Sequence, residues 1–377
     1  MYLQSIKTIF LLLFSLAASQ IYTGPEDDRL VTQLSLDIVT NGISTTPDGR
    51  LFLVVSHVDG SNGPSIVEYN RTTNTTTAYP NTEWNSYADG KDPATHFVSI
   101  NSQRIGPDGK LYIVDTGAPT FLGPVLLPYG PKLIQVDITT DAVSRVYFMG
   151  NATQSGSFLD DVRFDPARGK AYLTDAGTPS GLIVLDLATG EVQRMLNNHP
   201  STRVYSPVSG EGTILRHNGE PVFIYADQLE VSPDGEYLYY EPASGPLSRI
   251  TTDALNQAFH NSSMNDNDVL GQYVEPYAHT PSTGGTALDA AGNVYNSDTD
   301  SQRIIRIAPN GTMTTLVQDP RLLWVDAMWI DSQGLLWMPA AQLNRGVPFQ
   351  NGTSYIRKPM QVFTIDVGVG PSGIDHA

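Results

Sequence analysis

The chain has 377 residues. It has no cysteine and a formal net charge of −17, and these two properties exclude several kinds of site and partner. The absence of cysteine excludes disulfides, thiolate metal sites, cysteine nucleophiles and covalent haem attachment. The acidic balance, with only 22 lysines and arginines, repels nucleic-acid backbones and anionic membranes. We therefore expect a monomer whose partner is a small molecule, with a core large enough to fold without crosslinks.

The first residues have the pattern of a secretory signal. Lys7 supplies a positive charge, residues 9–14 are an apolar core, and residues 17–19 offer small side chains for cleavage. The apolar run is too short to span a bilayer. We expect residues 1–19 to be a signal peptide, residues 20–377 to form a single domain, and the protein to be extracellular.

Asn-x-Ser/Thr sequons are typical of secreted glycoproteins. This chain has six of them, and they predict N-glycosylation at Asn70, Asn74, Asn151, Asn261, Asn310 and Asn351.

One turn motif recurs six times along the rest of the chain. Each copy begins on Asn, Asp or Gly, reaches a glycine eight or nine residues later, and continues into an apolar, aromatic-rich run. This pattern predicts a β-hairpin. The copies begin at Asn41, Asn101, Asp160, Asp227, Gly284 and Asp326. Neighbouring copies begin between 42 and 67 residues apart, a period typical of four-stranded propeller blades.

The repeats predict an all-β fold, a six-bladed β-propeller with four-stranded antiparallel blades. The blades are expected at residues 41–82, 95–149, 158–197, 222–258, 284–318 and 324–367. Blade 6 ends too early for a fourth strand of its own, so the alternating residues 30–39 are expected to supply it and close the ring. Residues 252–257 look helical, and the glycine and proline content of residues 368–377 predicts a frayed tail.

The first strand of each blade lines the channel of a propeller, so the six opening residues are expected to form a ring. An inserted residue at 166–169 leaves open whether Asp160 or Asp161 takes the ring position. Second strands end at the same mouth, and there we expect carboxylates to accept backbone N–H bonds. These are Asp115, Asp175 and Asp298, and Glu241 occurs at the same position in blade 4. We assign no metal ligand and no cofactor, with Ca²⁺ bound by the ring oxygens as the alternative.

Charged and aromatic residues also occur deeper along the inner strands. The positions in question are Ser44, Arg104, Arg163, Glu230, Ala287 and Trp329. The charges either pair between blades or face the wet channel. In the second case the channel has a charged side and an apolar side, which suits a small, flat, partly anionic ligand. Loop residues expected near the same mouth are His57, His279, Trp84 and Trp324.

Five stretches resemble the Yellow and major royal jelly protein family. They are residues 97–117, 159–165, 181–187, 231–240 and 324–337, in the family's order. The resemblance implies a secreted six-bladed propeller with a small-molecule site at its axis. It implies no single activity, because members include dopachrome-converting enzymes and proteins that bind sterols or amines. Insect members usually carry cysteines, so this chain is similar to a microbial or fungal branch.

Residues 227–235 are also similar to senescence-marker and gluconolactonase propellers. That resemblance implies a divalent metal held by Asn, Asp and Glu on the same ring. The aspartate expected after this blade's second strand is replaced by Pro242 beside Glu241. The chain therefore departs from the lactonase pattern.

Three functions remain open from the sequence. The leading one is a secreted enzyme that isomerises, tautomerises or cyclises a small aromatic or quinone-like metabolite without a redox cofactor. Its predicted catalytic residues are Asp161, Glu230, Asp227 and Arg104, and its predicted ligand-binding residues are Asn41, Asn101, Asp160, Arg163, Trp329 and Asp326. The alternatives are a non-catalytic extracellular binder of small molecules and a metal-dependent, lactonase-like hydrolase.

Overall fold

The computed structural model describes residues 21–376, so the expected signal peptide lies outside the described residues. Six sheets of four antiparallel strands are arranged in a ring, and the inner strands of successive blades contact one another. This confirms the predicted six-bladed propeller. Within residues 21–376, no helix is both long enough and apolar enough to cross a membrane.

The strands of the first half follow the predicted blade order. Strand β1 is Val31–Leu36; blade 1 is β2 Thr40–Thr45, β3 Leu51–Val55, β4 Ile66–Asn70 and β5 Thr75–Ala78. Blade 2 is β6 Ile100–Ile105, β7 Leu111–Asp115, β8 Lys132–Asp137 and β9 Ala142–Phe148. Blade 3 is β10 Leu159–Asp165, β11 Lys170–Asp175, β12 Gly181–Asp186 and β13 Val192–Met195, and a short helical turn follows at Pro200–Thr202.

The second half adds insertions to the blades. Two small hairpins precede blade 4: β14 Ser209–Gly210 with β15 Thr213–Ile214, and β16 Arg216–His217 with β17 Glu220–Pro221. Blade 4 is β18 Ala226–Val231, β19 Tyr237–Pro242, β20 Leu247–Thr251 and β21 Val274–Ala278; blade 5 is β22 Thr286–Leu288, β23 Val294–Asp298, β24 Arg303–Ile307 and β25 Met313–Gln318. Blade 6 contains β26 Trp329–Ile330, β27 Leu335–Pro339 and β28 Met360–Asp366, with helical turns at Leu343–Arg345 and Val347–Phe349.

The N-terminal strand closes the ring, as predicted. Strand β1 pairs antiparallel with β28 from Val31 opposite Thr364 to Leu36 opposite Met360, and the sheet order is β1-β28-β27-β26. The side chain of Gln33 donates to Thr364 Oγ1 at 3.0 Å. With β1 in place, blade 6 has all four strands, and the edge of β28 is paired.

Blade 4 is longer than predicted, because a helical excursion separates its third and fourth strands. The expected helix is present as α1, Thr252–His260, with Thr251 as its N-cap. A second short helix, α2 Asn267–Leu270, and a helical turn at Gly271–Tyr273 lead to β21. The predicted end of the blade at residue 258 is therefore wrong. Helix α1 buries its apolar side chains in a cluster shared with blades 3 and 4, which fixes the excursion.

The C-terminal tail is not frayed, which corrects the prediction for its described residues. Gly370 accepts a hydrogen bond from the N–H of Ala290 at 3.0 Å, and Ser372 is fully buried. The ring of His376 stacks on Trp329 with a centroid distance of 3.6 Å. Asp375 forms an ion pair with Arg104. The tail therefore packs inside the channel, where burial and charge pairing compensate for its flexible composition.

Candidate functional site

The opening residues of the first four blades lie at irregularities in their inner strands. The pairing with the second strand skips Asn41, Asn101 and Asp227, and in blade 3 it skips both Asp160 and Asp161. A bulge removes a residue from the ladder and changes the direction of its side chain. All six opening residues line one cavity at the mouth of the channel, and Asp160 rather than Asp161 takes the ring position.

The mouth cavity combines a polar floor with apolar walls. Its volume is about 570 Å³ including the solvent-filled mouth. The floor is the ring of opening residues. The walls are Phe121, Phe158, Val208, Leu215, Val222, Ile224, Ala243, Trp324, Leu343 and Phe349. Of the loop residues predicted near the mouth, only Trp324 lines this cavity.

Much of the wall comes from a segment that the repeat did not reveal. We call residues 204–224, which contain β14 to β17, the mouth insert. Its side chains Val208, Leu215 and Val222 form an apolar cluster with Trp324. The sequence signal for this wall is the spacing of these three apolar residues, seven apart in a segment otherwise rich in polar residues and glycine.

Two carboxyl groups on the floor, Asp160 and Asp227, influence each other's protonation. Burial is the main cause that raises the pKa of Asp160 well above its usual range and the pKa of Asp227 to about 7. Asn101 donates to Asp160 Oδ1 at 2.5 Å, and Gln228 donates to Asp227 Oδ2 at 2.6 Å. Because burial and the neighbouring carboxylates disfavour ionisation, the pair holds a proton near neutral pH.

A third carboxyl group, Asp326, stands on the same floor. Burial raises its pKa to about 8, although the indole N–H of Trp324 donates to Oδ2 at 2.9 Å and the N–H of Ala327 donates to Oδ1 at 3.0 Å. Asp326 is therefore mainly protonated at neutral pH and can donate a proton. The negative charges of Asp160 and Asp161 add to this effect.

The amide of Asn41 leaves one acceptor free. Its Nδ2 donates to the carbonyl oxygen of Asn101 at 3.2 Å, while its buried Oδ1 has no hydrogen-bond partner among residues 21–376. A buried polar atom without a partner is costly. This oxygen is therefore an unsatisfied acceptor beside the cavity.

A narrower cavity continues through the ring. It is lined by ring residues together with Ser102, Asp161, Gln228, Gly285 and Ala327. Asp161 lies here rather than in the mouth cavity, and its Oδ2 accepts from Arg163 Nη1 at 2.6 Å.

The deeper charges are paired, which answers the question left open by the sequence. Arg163 binds both oxygens of Glu230, at 2.9 and 2.7 Å, across the interface of blades 3 and 4. Arg104 binds Asp375 of the tail, and its guanidinium lies 5.2 Å from the ring centroid of Trp329. Arg104, Arg163, Glu230 and Trp329 therefore form a buried layer below the ring and do not line the mouth cavity.

The second acidic column has the structural role that was expected for most of it. Asp115 accepts from the backbone N–H groups of Val98, Ser99 and Gly117. Asp175 and Asp298 likewise accept backbone N–H groups in the adjoining loops. Glu241 differs, because its partners are the side chains of Asn296 and Thr280, and burial raises its pKa to about 8.

Comparison with known proteins agrees with this architecture. The sequence profile of the major royal jelly protein family matches residues 98–360. No curated protein sequence matches the chain.

Solved structures with a similar fold include three relatives of low sequence identity. A luciferin-regenerating enzyme has a TM-score of 0.55 and 15% identity, covering 92% of this chain and 98% of that chain. Regucalcin, a calcium-binding protein from Agrobacterium tumefaciens, has a TM-score of 0.52 and 11% identity, with 91% and 94% covered. A gluconolactonase from Xanthomonas campestris has a TM-score of 0.52 and 12% identity, with 89% of each chain covered. At such identities the similarity shows the propeller fold alone.

Proposed function

The chain belongs to the major royal jelly protein family, and we propose that it is an exported enzyme that isomerises, tautomerises or cyclises a small aromatic or quinone-like molecule. One observation supports this most strongly. Two carboxyl groups with raised pKa values lie on the floor of a cavity with aromatic walls. The pKa of Asp227 is raised to about 7 and that of Asp326 to about 8. Groups that titrate near the working pH are suited to proton transfer.

The walls of the cavity would bind the substrate, and the carboxyl groups of the floor would transfer protons. A flat ring would pack against Phe121, Phe158 and Trp324, and its polar substituents would face the floor. The free Oδ1 of Asn41 would accept one O–H or N–H group of the substrate. Such contacts orient the molecule and exclude water from the reacting atoms.

In the proposed reaction, the ionised pair Asp160–Asp227 takes a proton from a C–H bond next to a carbonyl group. The electrons of that bond form a C=C bond, and the carbonyl electrons move to oxygen, which takes the proton of Asp326. In a substrate with a further conjugated C=C bond, the pair then returns its proton to the far carbon of that bond. The double bond moves, the hydroxyl proton returns to Asp326 and the C=O bond re-forms, which completes an isomerisation without oxidant or reductant.

Several residues have roles here that differ from those predicted from the sequence. Asp227 keeps its catalytic role, while Asp160 and Asp326 move from ligand binding to proton transfer. Glu230 and Arg104 become structural, because both are bound in buried ion pairs away from the cavity. Asp161 becomes a neighbour that influences the charge of the pair.

The test uses pure protein with dopachrome and related quinonoid compounds, followed by absorbance and product analysis. We expect Asp227→Asn and Asp326→Asn to lower turnover about 100-fold or more, the usual contribution of an acid or base. Asp253→Asn, on the exposed start of α1, is the matched control and should keep full activity. Wild-type turnover in Asp227→Asn and Asp326→Asn, as in the control, would contradict the proposal.

A carrier function has one observation in its favour, the unpartnered oxygen of Asn41. It binds a ligand without requiring a proton-transfer pair. In the same incubation, an unchanged compound that raises the melting temperature of the protein would identify a carrier.

The floor does not fit a lactonase-type metal centre as it is arranged. The carboxyl oxygens already accept from Asn101, Gln228, Trp324 and Ala327, and residues 21–376 contain no group of three or more Asp, Glu, His or Cys placed to hold a metal ion. Elemental analysis of dialysed protein tests this, since stoichiometric Ca²⁺ or Zn²⁺ would favour the hydrolase.

Export and glycosylation are part of the proposal and rest on the sequence. All six sequon asparagines are exposed, which is the accessibility that glycosylation needs. Expression in a eukaryotic secretory host should yield protein in the medium that loses mass on treatment with an N-glycosidase. Retention in the cell with an unmodified mass would contradict both points.

A further inference from the structure

The indole of Trp324 lies between the mouth insert and the floor of the cavity. On the floor side it faces Gly284, where an added Cβ atom would lie 2.9 Å from the indole nitrogen. On the insert side it faces Gly210, where a Cβ atom would lie 2.8 and 2.9 Å from Cε3 and Cζ3 of the ring. Real Cβ atoms do not approach so closely, so both glycines are needed for this packing.

The backbone and surroundings of Trp324 hold the indole in one place. Its φ angle is 52°, in the left-handed region that a bulky residue seldom adopts. The residue is 6% exposed, and its carbonyl oxygen accepts from the N–H of Ala341 at 2.9 Å. A conformation of this kind persists only where the surrounding structure determines it.

The hairpin β14–β15 that covers the indole is anchored on two blades. Glu211 binds Arg345 of blade 6 through both carboxylate oxygens, at 2.8 and 2.7 Å, and also accepts from Asn344 at 2.8 Å. On the other side, Ser209 Oγ donates to Asp300 of blade 5 at 2.6 Å. Glu211 is adjacent to Gly210, so this anchor sets the height of the glycine above the indole.

From this geometry we propose that Trp324 is a positioning residue, which transmits the position of the mouth insert to the acid group of Asp326. When Gly210 is seated on the ring, the indole N–H is directed at Asp326 Oδ2. Displacement of the hairpin would remove this packing, free the indole and break the bond. The seated hairpin therefore holds the acid group of the cavity in place. The inference rests on the proposed role of Asp326 in proton transfer.

A hydrogen bond from the indole favours the ionised form of Asp326, and its loss should raise the titration midpoint of this group. For one hydrogen bond to a charged group, the expected rise is about one pH unit or more. The readout needs no substrate, so it separates this inference from the proposed enzyme activity.

The experiment follows the indole ¹⁵N–¹H signals of the four tryptophans between pH 5 and 10 in the full protein. Trp324→Phe assigns the signal of Trp324, and Asp326→Asn should abolish its titration. Gly210→Ala is expected to shift the signal and to raise its midpoint, and Glu211→Gln should act in the same direction. Glu220→Gln, which removes an exposed charge from the second hairpin, is the matched control and should leave the midpoint unchanged.

The outcomes are separable even where one variant is unstable. A midpoint that stays at the wild-type value in folded Gly210→Ala and Glu211→Gln would overturn the inference. A rise in Gly210→Ala alone would support the contact and remove the Glu211 anchor from it. An unfolded Trp324→Phe variant leaves both tests intact, since the Trp324 signal is then assigned by its response to Asp326→Asn.

Discussion

Replacement of Glu230 by glutamine is expected to weaken the fold instead of removing a catalytic group. The side chains of Arg163 and Glu230 are only 2% and 3% exposed. The substitution leaves the charge of Arg163 buried with Asp161 as its one close anionic partner, at 2.6 Å. Removing one member of a buried pair costs about 3–5 kcal/mol. Since Asp161 remains and glutamine keeps one acceptor oxygen, we expect about 3 kcal/mol, the lower end of that range.

The same loss can be expressed as a melting temperature. At about 2 cal/mol/K per residue, a domain of this size unfolds with an entropy of roughly 0.7 kcal/mol/K, so the Tm should fall by about 4 °C. Urea unfolding and a thermal scan at pH 7 measure both quantities. The control is Asp253→Asn, which breaks the pair with Arg168 where Asp253 is 72% exposed and should cost less than about 1 kcal/mol. A loss for Glu230→Gln no larger than that of the control would refute the reasoning.

Three further results are expected. Asp326→Asn should reduce the pH dependence of stability. The folded wild-type protein keeps this proton up to about pH 8, while the unfolded chain releases it near pH 4. The free energy of unfolding that this group contributes therefore falls as pH rises between these values. Urea titrations across that range compare the slopes, and a variant with the wild-type slope contradicts the raised pKa. Deletion of residues 20–39 removes β1 and exposes the edge of β28, so gel filtration should show aggregates or no secreted product; a monomer as heat-stable as the full chain would place closure elsewhere. Deletion of residues 370–377 leaves Arg104 buried without Asp375, so the urea midpoint should fall as in Glu230→Gln. An unchanged midpoint would mean that the tail does not stabilise the channel.

The blades could be predicted because each is built from strands that follow one another in the chain. Turn glycines and alternating apolar residues carry that information locally. Ring closure was also accessible, since blade 6 lacked a strand and residues 30–39 had a strand pattern without a partner. The fourth strand of blade 4 was missed because α1 and α2 intervene before β21.

The partners of the charged residues could not be predicted in the same way. Arg104 meets Asp375, 271 residues away, in a tail whose composition indicates flexibility. The choice of Asp160 for the ring depends on a bulge that skips two residues, and such a bulge is visible only when the pairing with β11 is known. The cover of the cavity belongs to no repeat. Its role depends on contacts between Gly210 and Trp324, which have no signature in the sequence.

Closure by β1 also sets an order of events during synthesis. Gln33 and Thr364, which bond across this pair, are 331 residues apart, whereas blades 1 to 5 each draw their four strands from consecutive sequence. At a synthesis rate of about 5–20 residues per second, β1 waits roughly 20–60 s for its partner strand. During that time its edge is available to the strands of other nascent chains. We therefore expect the emerging chain to rely on chaperones that cover this segment until the last blade is made.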